Sequence, residues 1–244
     1  MTHQNGGAAA NTSRNEDWDS QRVTLGRHFL RDLEGLWAGV LRLAAVVEDA
    51  LNRSVKALCD GNTDLAAEVR GDESIVDRWE VRIERDCLKV LALHQPVASD
   101  LRRVAAVLKI NGDLERMGDL ARHIAQRVGK LALEPSAFPI PQPLETLAVE
   151  ALARVRDSLD ALTDGDTNLA RKVIEADFSV NLHYRAVLKG LKQSIKSEPG
   201  RVENWLRLIN TARNLERIAD HAVNIAESVI YLKEGDIVRH AEPR

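Results

Sequence analysis

Asp60-Gly61-Asn62-Thr63-Asp64-Leu65-Ala66 returns 104 residues later as Asp164-Gly165-Asp166-Thr167-Asn168-Leu169-Ala170. A turn repeated at so long an interval marks a chain built from two similar halves. The first copy reads as a helix stop followed by a helix start. Glycine accepts the left-handed conformation that closes one helix, and Asn62 or Thr63 can cap the next.

Upstream of the first turn, apolar residues recur at spacings of three and four: Leu25, Phe29, Leu33, Leu36, Val40, Leu43, Val47, Leu51 and Val55. That periodicity predicts one very long amphipathic helix over residues 23–57, or two nearly collinear ones, weakest at Gly35 and Gly39. A second helix is predicted over 64–93 and a third over 98–131, separated by the breaker His94-Gln95-Pro96. Pro135, Pro139, Pro141 and Pro143 then fall within ten positions, which no helix survives. After them the programme repeats. Helices are predicted over 144–162, onward from the second turn to residue 197, and over 202–232, with Glu198-Pro199-Gly200 as the second breaker. The expected architecture is all-α: two tandem, similar three-helix bundles of six long antiparallel helices. The expected boundaries are a disordered tail over 1–21, a first bundle over 22–134, a proline-rich linker over 135–143, a second bundle over 144–234 and a tail over 235–244. End-to-end bundles, side-by-side bundles and a single elongated six-helix array all satisfy this pattern.

Composition agrees. Of 244 residues, 44% are apolar but only 4% aromatic, a mixture poor in the residues a sheet protein wants. The net charge is −3 with bases and acids interspersed, so a nucleic-acid footprint is not supported. Cys59 and Cys87 lie in apolar helical pattern and read as small buried hydrophobes of a reducing compartment. No run approaches the roughly 18 apolar residues of a membrane span, and the N-terminal stretch lacks the apolar core of a signal peptide. A cytoplasmic location is the expectation.

The acids carry the functional signal. Asp113-Leu114-Glu115-Arg116-Met117-Gly118-Asp119 is echoed 101 residues on by Asn214-Leu215-Glu216-Arg217-Ile218-Ala219-Asp220. At 100° per residue, Glu115 and Asp119 fall about 20° either side of Leu108, and Glu216 and Asp220 bracket Ile209 in the same way. This places them on the predicted core stripe, where unpaired carboxylates are costly and a cation is expected against them. The second helix adds Glu73 and Asp77 at the same spacing, and the fifth adds Asp177 and Asn181. Glu80 and Glu84 extend the flank, but their counterparts are Tyr184 and Leu188, so they weigh less.

Carboxylate oxygens without thiolate suit hard ions such as ferric iron, manganese, magnesium or calcium. The competing reading is ion pairing with Arg116, Arg122 and Arg217. His123 and Asn224 each follow the second aspartate by four and could extend the clusters. Trp18, alone in the polar tail, could anchor a docking contact. Catalysis is not indicated: the chain has no Gly-rich phosphate loop, no Cys-x-x-Cys, no nucleophile elbow, and no Glu-x-x-His with matching glutamates. A metal-dependent phosphohydrolase and a purely structural helical interaction protein stand as alternatives to a binding adaptor.

With Gln95-Pro96-Val97-Ala98-Ser99-Asp100-Leu101-Arg102, the two Leu-Glu-Arg motifs, and the continuation His221-Ala222-Val223-Asn224-Ile225-Ala226-Glu227, the chain resembles the PhoU family of phosphate-specific transport accessory proteins. The likeness covers nearly everything beyond the N-terminal tail. It implies two three-helix bundles and multinuclear metal clusters on Glu73, Asp77, Glu115, Asp119, Asp177, Asn181, Glu216 and Asp220, with iron first among Fe, Mn, Mg, Zn and Ca. Asn181 departs from the family's aspartate and implies a weaker or differently occupied second cluster. The resemblance also implies a cytoplasmic adaptor that is often a homodimer. Its partners would be the ATPase subunit of the phosphate ABC transporter and a membrane sensor histidine kinase, which hold it peripherally at the inner face of the membrane. In that role it negatively regulates phosphate uptake and the phosphate-starvation response.

Overall fold

The computed structural model describes residues 9–133 and 138–238, with side chains from residue 27 onward and excluding that of Asp177. Its helices are α1 (Ala9–Asp60), α2 (Thr63–Gly71), α3 (Glu73–His94), α4 (Ala98–Leu131), α5 (Gln142–Asp164), α6 (Thr167–Glu175), α7 (Asp177–Ser197) and α8 (Val202–Glu234), with a 3-10 turn at Pro199–Arg201 before α8. α1 starts at Ala9, inside the stretch read from sequence as a tail. From residue 8 to residue 25 there is neither proline nor glycine to stop a helix. The first eight residues, the last six, and the side chain of Trp18 lie outside the described residues.

The repeated turn does the same work twice. Gly61 and Gly165 adopt φ of 63° and 66°, the left-handed closure that costs glycine nothing. The N–H groups of Asn62 and Asp166 donate back to Ala57 and Ala161 carbonyls, each at 3.0 Å. The side chains of the same two residues cap α2 and α6. Asn62 Oδ1 accepts from the backbone of Asp64 and Leu65, and Asp166 Oδ1 accepts from Asn168 and Leu169.

Two of the six predicted helices are bent, a detail that periodicity does not reveal. The second is divided into α2 and α3 at Asp72, and the fifth into α6 and α7 at Ala176, both residues keeping right-handed helical angles. The chain therefore shifts its axis without turning back. Arg53 of α1 pairs with Asp72 and also with Asp49 at 2.7 Å, which ties the first bend to α1.

The bundles lie side by side along α4 and α8, and one continuous apolar core runs through both. Cross-contacts show that these helices are antiparallel. Lys109 stacks on Tyr231 at 5.0 Å, His221 Nδ1 meets Asp113 Oδ1 at 2.8 Å, and Asn224 Nδ2 donates to the same oxygen at 3.0 Å. At the other end, the amide oxygen of Asn214 accepts from Arg127 Nη1 at 2.7 Å. Burial lowers the proton affinity of Arg127. The outer helices close each bundle. His94 of α3 pairs with Asp32 of α1 at 3.2 Å, and this bond holds the Asp32 carboxyl below its usual range. α5 touches α1 through Arg156 and Glu48 at 3.8 Å. Among the described residues, no helix is long and apolar enough to cross a membrane.

Close helix approach is set by one small residue. A Cβ on Gly118 would lie 3.1 Å from Val76 Cγ1, so α3 sits directly on the α4 backbone there. In the second half the same positions are Ala219 and Val180, both buried. The cysteines divide rather than share one environment. Cys87 is fully buried, and burial pushes its thiol up to about 12, whereas Cys59 is exposed and the reading of it as buried is corrected. It lies in the last turn of α1, beside the loop, where partial burial and the nearby Glu145 and Asp60 raise its thiol above the usual range.

This packing has two measurable outcomes. A maleimide probe should label one thiol per native chain, at Cys59, and two after denaturation. Replacing Gly118 by Ala should be close to neutral, since a helix-propensity gain of about 1 kcal/mol opposes the tight contact. Gly118→Val should lower stability by about 1–3 kcal/mol, read from urea melts.

Candidate functional site

α4 meets α1, α3 and α8 at once, and its buried positions accordingly span about 200° of arc at 100° per residue. The centre of that arc lies at Leu114, Met117 and Ala121, all buried, and not at Leu108, which is only partly covered. Glu115 and Asp119 lie on its shoulder, with side chains 26% and 29% exposed. This corrects the placement of the acids on the core stripe: a helix packed on three sides needs a wider apolar arc, and the acids border it. Glu216 and Asp220 occupy the same shoulder of α8, half-buried and exposed respectively.

On α3, Glu73 and Asp77 straddle Val76, the residue seated on Gly118, and both are exposed. The short α3–α4 separation at this contact brings the two acid pairs to one side of the seam. The expected cation is partly internal. Arg122 spans the seam, with Nε 3.1 Å from Glu73 Oε1 and Nη2 3.1 Å from Asp119 Oδ1. Arg116 Nε lies 3.3 Å from Glu115 Oε2.

Glu115 is nevertheless uneasy as an anion. Burial pushes its carboxyl above the usual range, Arg116 opposes this, and the charges of Asp119, Glu80 and Asp77 push it further. Glu80 behaves alike, raised by burial and by Glu84 and Asp77. Glu80 is therefore electrically part of the seam. Comparison of the two halves sets it aside, because Tyr184 replaces it in the second. The signal that finds it is local: it follows Asp77 by three residues on the same helix face.

The second set is described in part. The side chain of Asp177 lies outside the described residues. Asn181 is half-buried on α7, at the position that matches Asp77 in the first half. Of the two proposed extensions, Asn224 falls elsewhere and His123 stays within electrostatic reach of Asp119. Asn224 bonds Asp113 across the α4–α8 interface instead of joining its cluster. His123 has its ring proton affinity lowered by burial and by Arg122, with Arg127 and Arg217 adding to the effect against Asp119.

As a metal centre, the α3–α4 seam has the right donor chemistry in Asp77, Glu80 and Glu115, oxygen ligands with like-charge strain. Its side chains are not drawn together for it. Among the described residues, no group of three or more His, Cys, Asp or Glu side chains is gathered closely enough to hold an ion. Arg122 also engages two of the four carboxylates that would be needed.

Comparison with known proteins places this architecture. The PhoU domain family matches residues 40–128 and again 144–229, one match per bundle. A Pseudomonas aeruginosa protein named as a phosphate-specific transport system accessory protein PhoU homolog is 35% identical over 222 residues, 91% of this chain and 92% of that protein. One of the same name from Aquifex aeolicus is 40% identical over 210 residues, covering 86% and 95%. The crystal structure of PhoU from Pseudomonas aeruginosa superposes with a TM-score of 0.81 at 34% identity, over 85% of this chain and all of that one. That of the phosphate transport system regulatory protein PhoU from Streptococcus pneumoniae gives 0.77 at 27% identity, over 86% and 99%. With both bundles matched, and with relatives of this identity aligned along nearly their whole length, the chain belongs to the PhoU family.

Proposed function

We propose that this protein is a non-enzymatic adaptor that restrains phosphate uptake and the phosphate-starvation response. In this reading it works in the cytoplasm as a homodimer. It contacts the ATPase subunit of a phosphate ABC transporter and a membrane sensor histidine kinase, which bring it to the inner face of the membrane. The observation that carries the proposal is the alignment of both bundles with phosphate-specific transport accessory proteins, over 92% and 95% of two such relatives. A regulatory, non-catalytic role in phosphate transport is the part that family membership itself supports.

The finer part is metal binding. We place one site on Glu73, Asp77, Glu115 and Asp119, joined by Glu80, and a second on Asp177, Asn181, Glu216 and Asp220. A hard cation, iron before Mn, Mg, Zn or Ca, would supply positive charge to carboxylates that repel one another. Support comes from Glu115 and Glu80, both pushed toward protonation by burial and by neighbouring acids. For the ion to enter, Arg122 must release Glu73 and Asp119. Asn181 offers a neutral oxygen, which favours weaker binding in the second half.

A second reading has its own observation. Arg122 already bridges Glu73 and Asp119, so the acids could serve only to join α3 to α4. Metal content of the purified chain separates the two readings. Binding predicts retained iron or manganese and a raised Tm when either is added, with both effects lost in Asp77→Asn and Glu115→Gln. Pairing alone predicts no retained metal and a loss of stability in Arg122→Ala.

The pH dependence has a definite sign. Because the folded-state carboxyl of Glu115 holds its proton more tightly than in the unfolded chain, its protonation favours folding at acid pH, and that contribution is lost as pH rises through the raised value. Metal-free Glu115→Gln should therefore be more stable than the parent at pH 7, with the difference vanishing toward about pH 4. For the adaptor itself, cells lacking the protein should take up phosphate without restraint. The tagged protein should also retain the transporter ATPase and the kinase in a pull-down. Normal uptake control in its absence would remove the phosphate assignment.

A further inference from the structure

Along α7, Phe178, Leu182, Arg185, Lys189, Lys192 and Lys196 fall within about 40° either side of one line at 100° per residue. All six are exposed, Phe178 at 78% and Leu182 at 56%. The line runs about 27 Å, apolar at its start and cationic for the rest. None of its four cations is in an ion pair among the described residues. Successive members stand three or four apart, so Arg185, Lys189, Lys192 and Lys196 repel one another along the helix.

The repeat makes this pattern informative. α3 occupies the matching place in the first bundle and carries five acids, Glu73, Asp77, Glu80, Glu84 and Asp86, against four bases. α7 carries a single acid, its first residue Asp177, against four bases. The bundle therefore does not need a cationic outer helix. One half has acquired one, with two large apolar side chains left in water beside it.

We propose that the outer face of α7 docks directly on a membrane surface bearing anionic phospholipids. Phe178 and Leu182 enter the headgroup boundary, and Arg185, Lys189, Lys192 and Lys196 lie against the lipid phosphates. A plane of negative charge complements the whole line at once and relieves the repulsion within it. The stripe lies along one side of a single unbroken helix, so its members can meet a flat surface together. This contact is separate from recruitment through protein partners and does not depend on the phosphate assignment.

The test is sedimentation of the full chain with vesicles of phosphatidylglycerol in phosphatidylcholine, against phosphatidylcholine alone. Binding is expected only to the anionic vesicles, weakening as salt rises. At about fivefold per lysine lost, the triple variant Lys189→Glu, Lys192→Glu, Lys196→Glu should bind about 100-fold more weakly or worse. The single Lys192→Gln, which perturbs folding least, should lose about fivefold. Phe178→Ser with Leu182→Ser should weaken binding and leave its salt dependence unchanged. Arg78→Glu with Arg85→Glu, on the exposed face of α3, should have little effect, and circular dichroism checks that each variant stays helical. The proposal is overturned by no binding to anionic vesicles, or by an equal loss in the α3 variant. Binding to polyglutamate but not to vesicles also overturns it and assigns the face to an acidic protein.

Discussion

The contact between α4 and α8 governs the rest of the molecule. Each of these helices is covered on several sides, one by α1, α2 and α3 and the other by α5, α6 and α7, and each also meets the other. A helix in that position must be apolar over most of its circumference, and polar groups survive only where they are paired or at the edge. Asp113 with His221 and Asn224, and Asn214 with Arg127, are paired across the α4–α8 contact. Glu115, Asp119, Glu216 and Asp220 are at the edge. The α4–α8 contact widens the apolar arc that Glu115 and Asp119 border, and the α3–α4 contact at Gly118 sets what they face.

That position gives the carboxylates their character. Deeper in the core they would be neutral, and fully in water they would be indifferent to one another. On the shoulder of α4, with α3 drawn onto Gly118, Glu115 is dry enough to feel the charges of Asp119, Glu80 and Asp77. Arg122 reaches into the same space from the next turn of α4. Its guanidinium holds oxygens of Glu73 and Asp119, so the cation proposed for this seam would have to displace it.

Much of this architecture is legible in the residues themselves. The turn at Asp60-Gly61-Asn62-Thr63 and its copy give away the duplication, because the same glycine closure and the same side-chain cap are needed twice. The proline cluster after Leu131 and the two breakers fix the helix ends closely. Bends at Asp72 and Ala176 are hidden, since both residues keep helical angles and the apolar stripe runs on through them; Gly71 borders the first, but no glycine or proline marks the second. The error over the core stripe of α4 has a physical origin. Periodicity locates one face, and a helix buried on three sides has no single face to locate. Glu80 is undervalued by its sequence because its importance comes from burial and from Glu84 and Asp77 on its own helix, which comparison with Tyr184 in the other half does not record. Cys59 looks buried by pattern, but pattern does not show how much of a helix's last turn its neighbours cover.

The seam between α4 and α8 is, in effect, a dimer interface written into one polypeptide. Its two ends are not alike: an aspartate meets a histidine and an amide at one, and an amide meets an arginine at the other. Two copies of either half could bury the same apolar surface, but Asp113 would lose His221 and Asn224 in one, and Asn214 would lose Arg127 in the other. Fusion has thus freed the halves to specialise, one keeping the fuller set of carboxylates and the other turning a basic edge outward, while the mismatch at the seam keeps each committed to its own sibling.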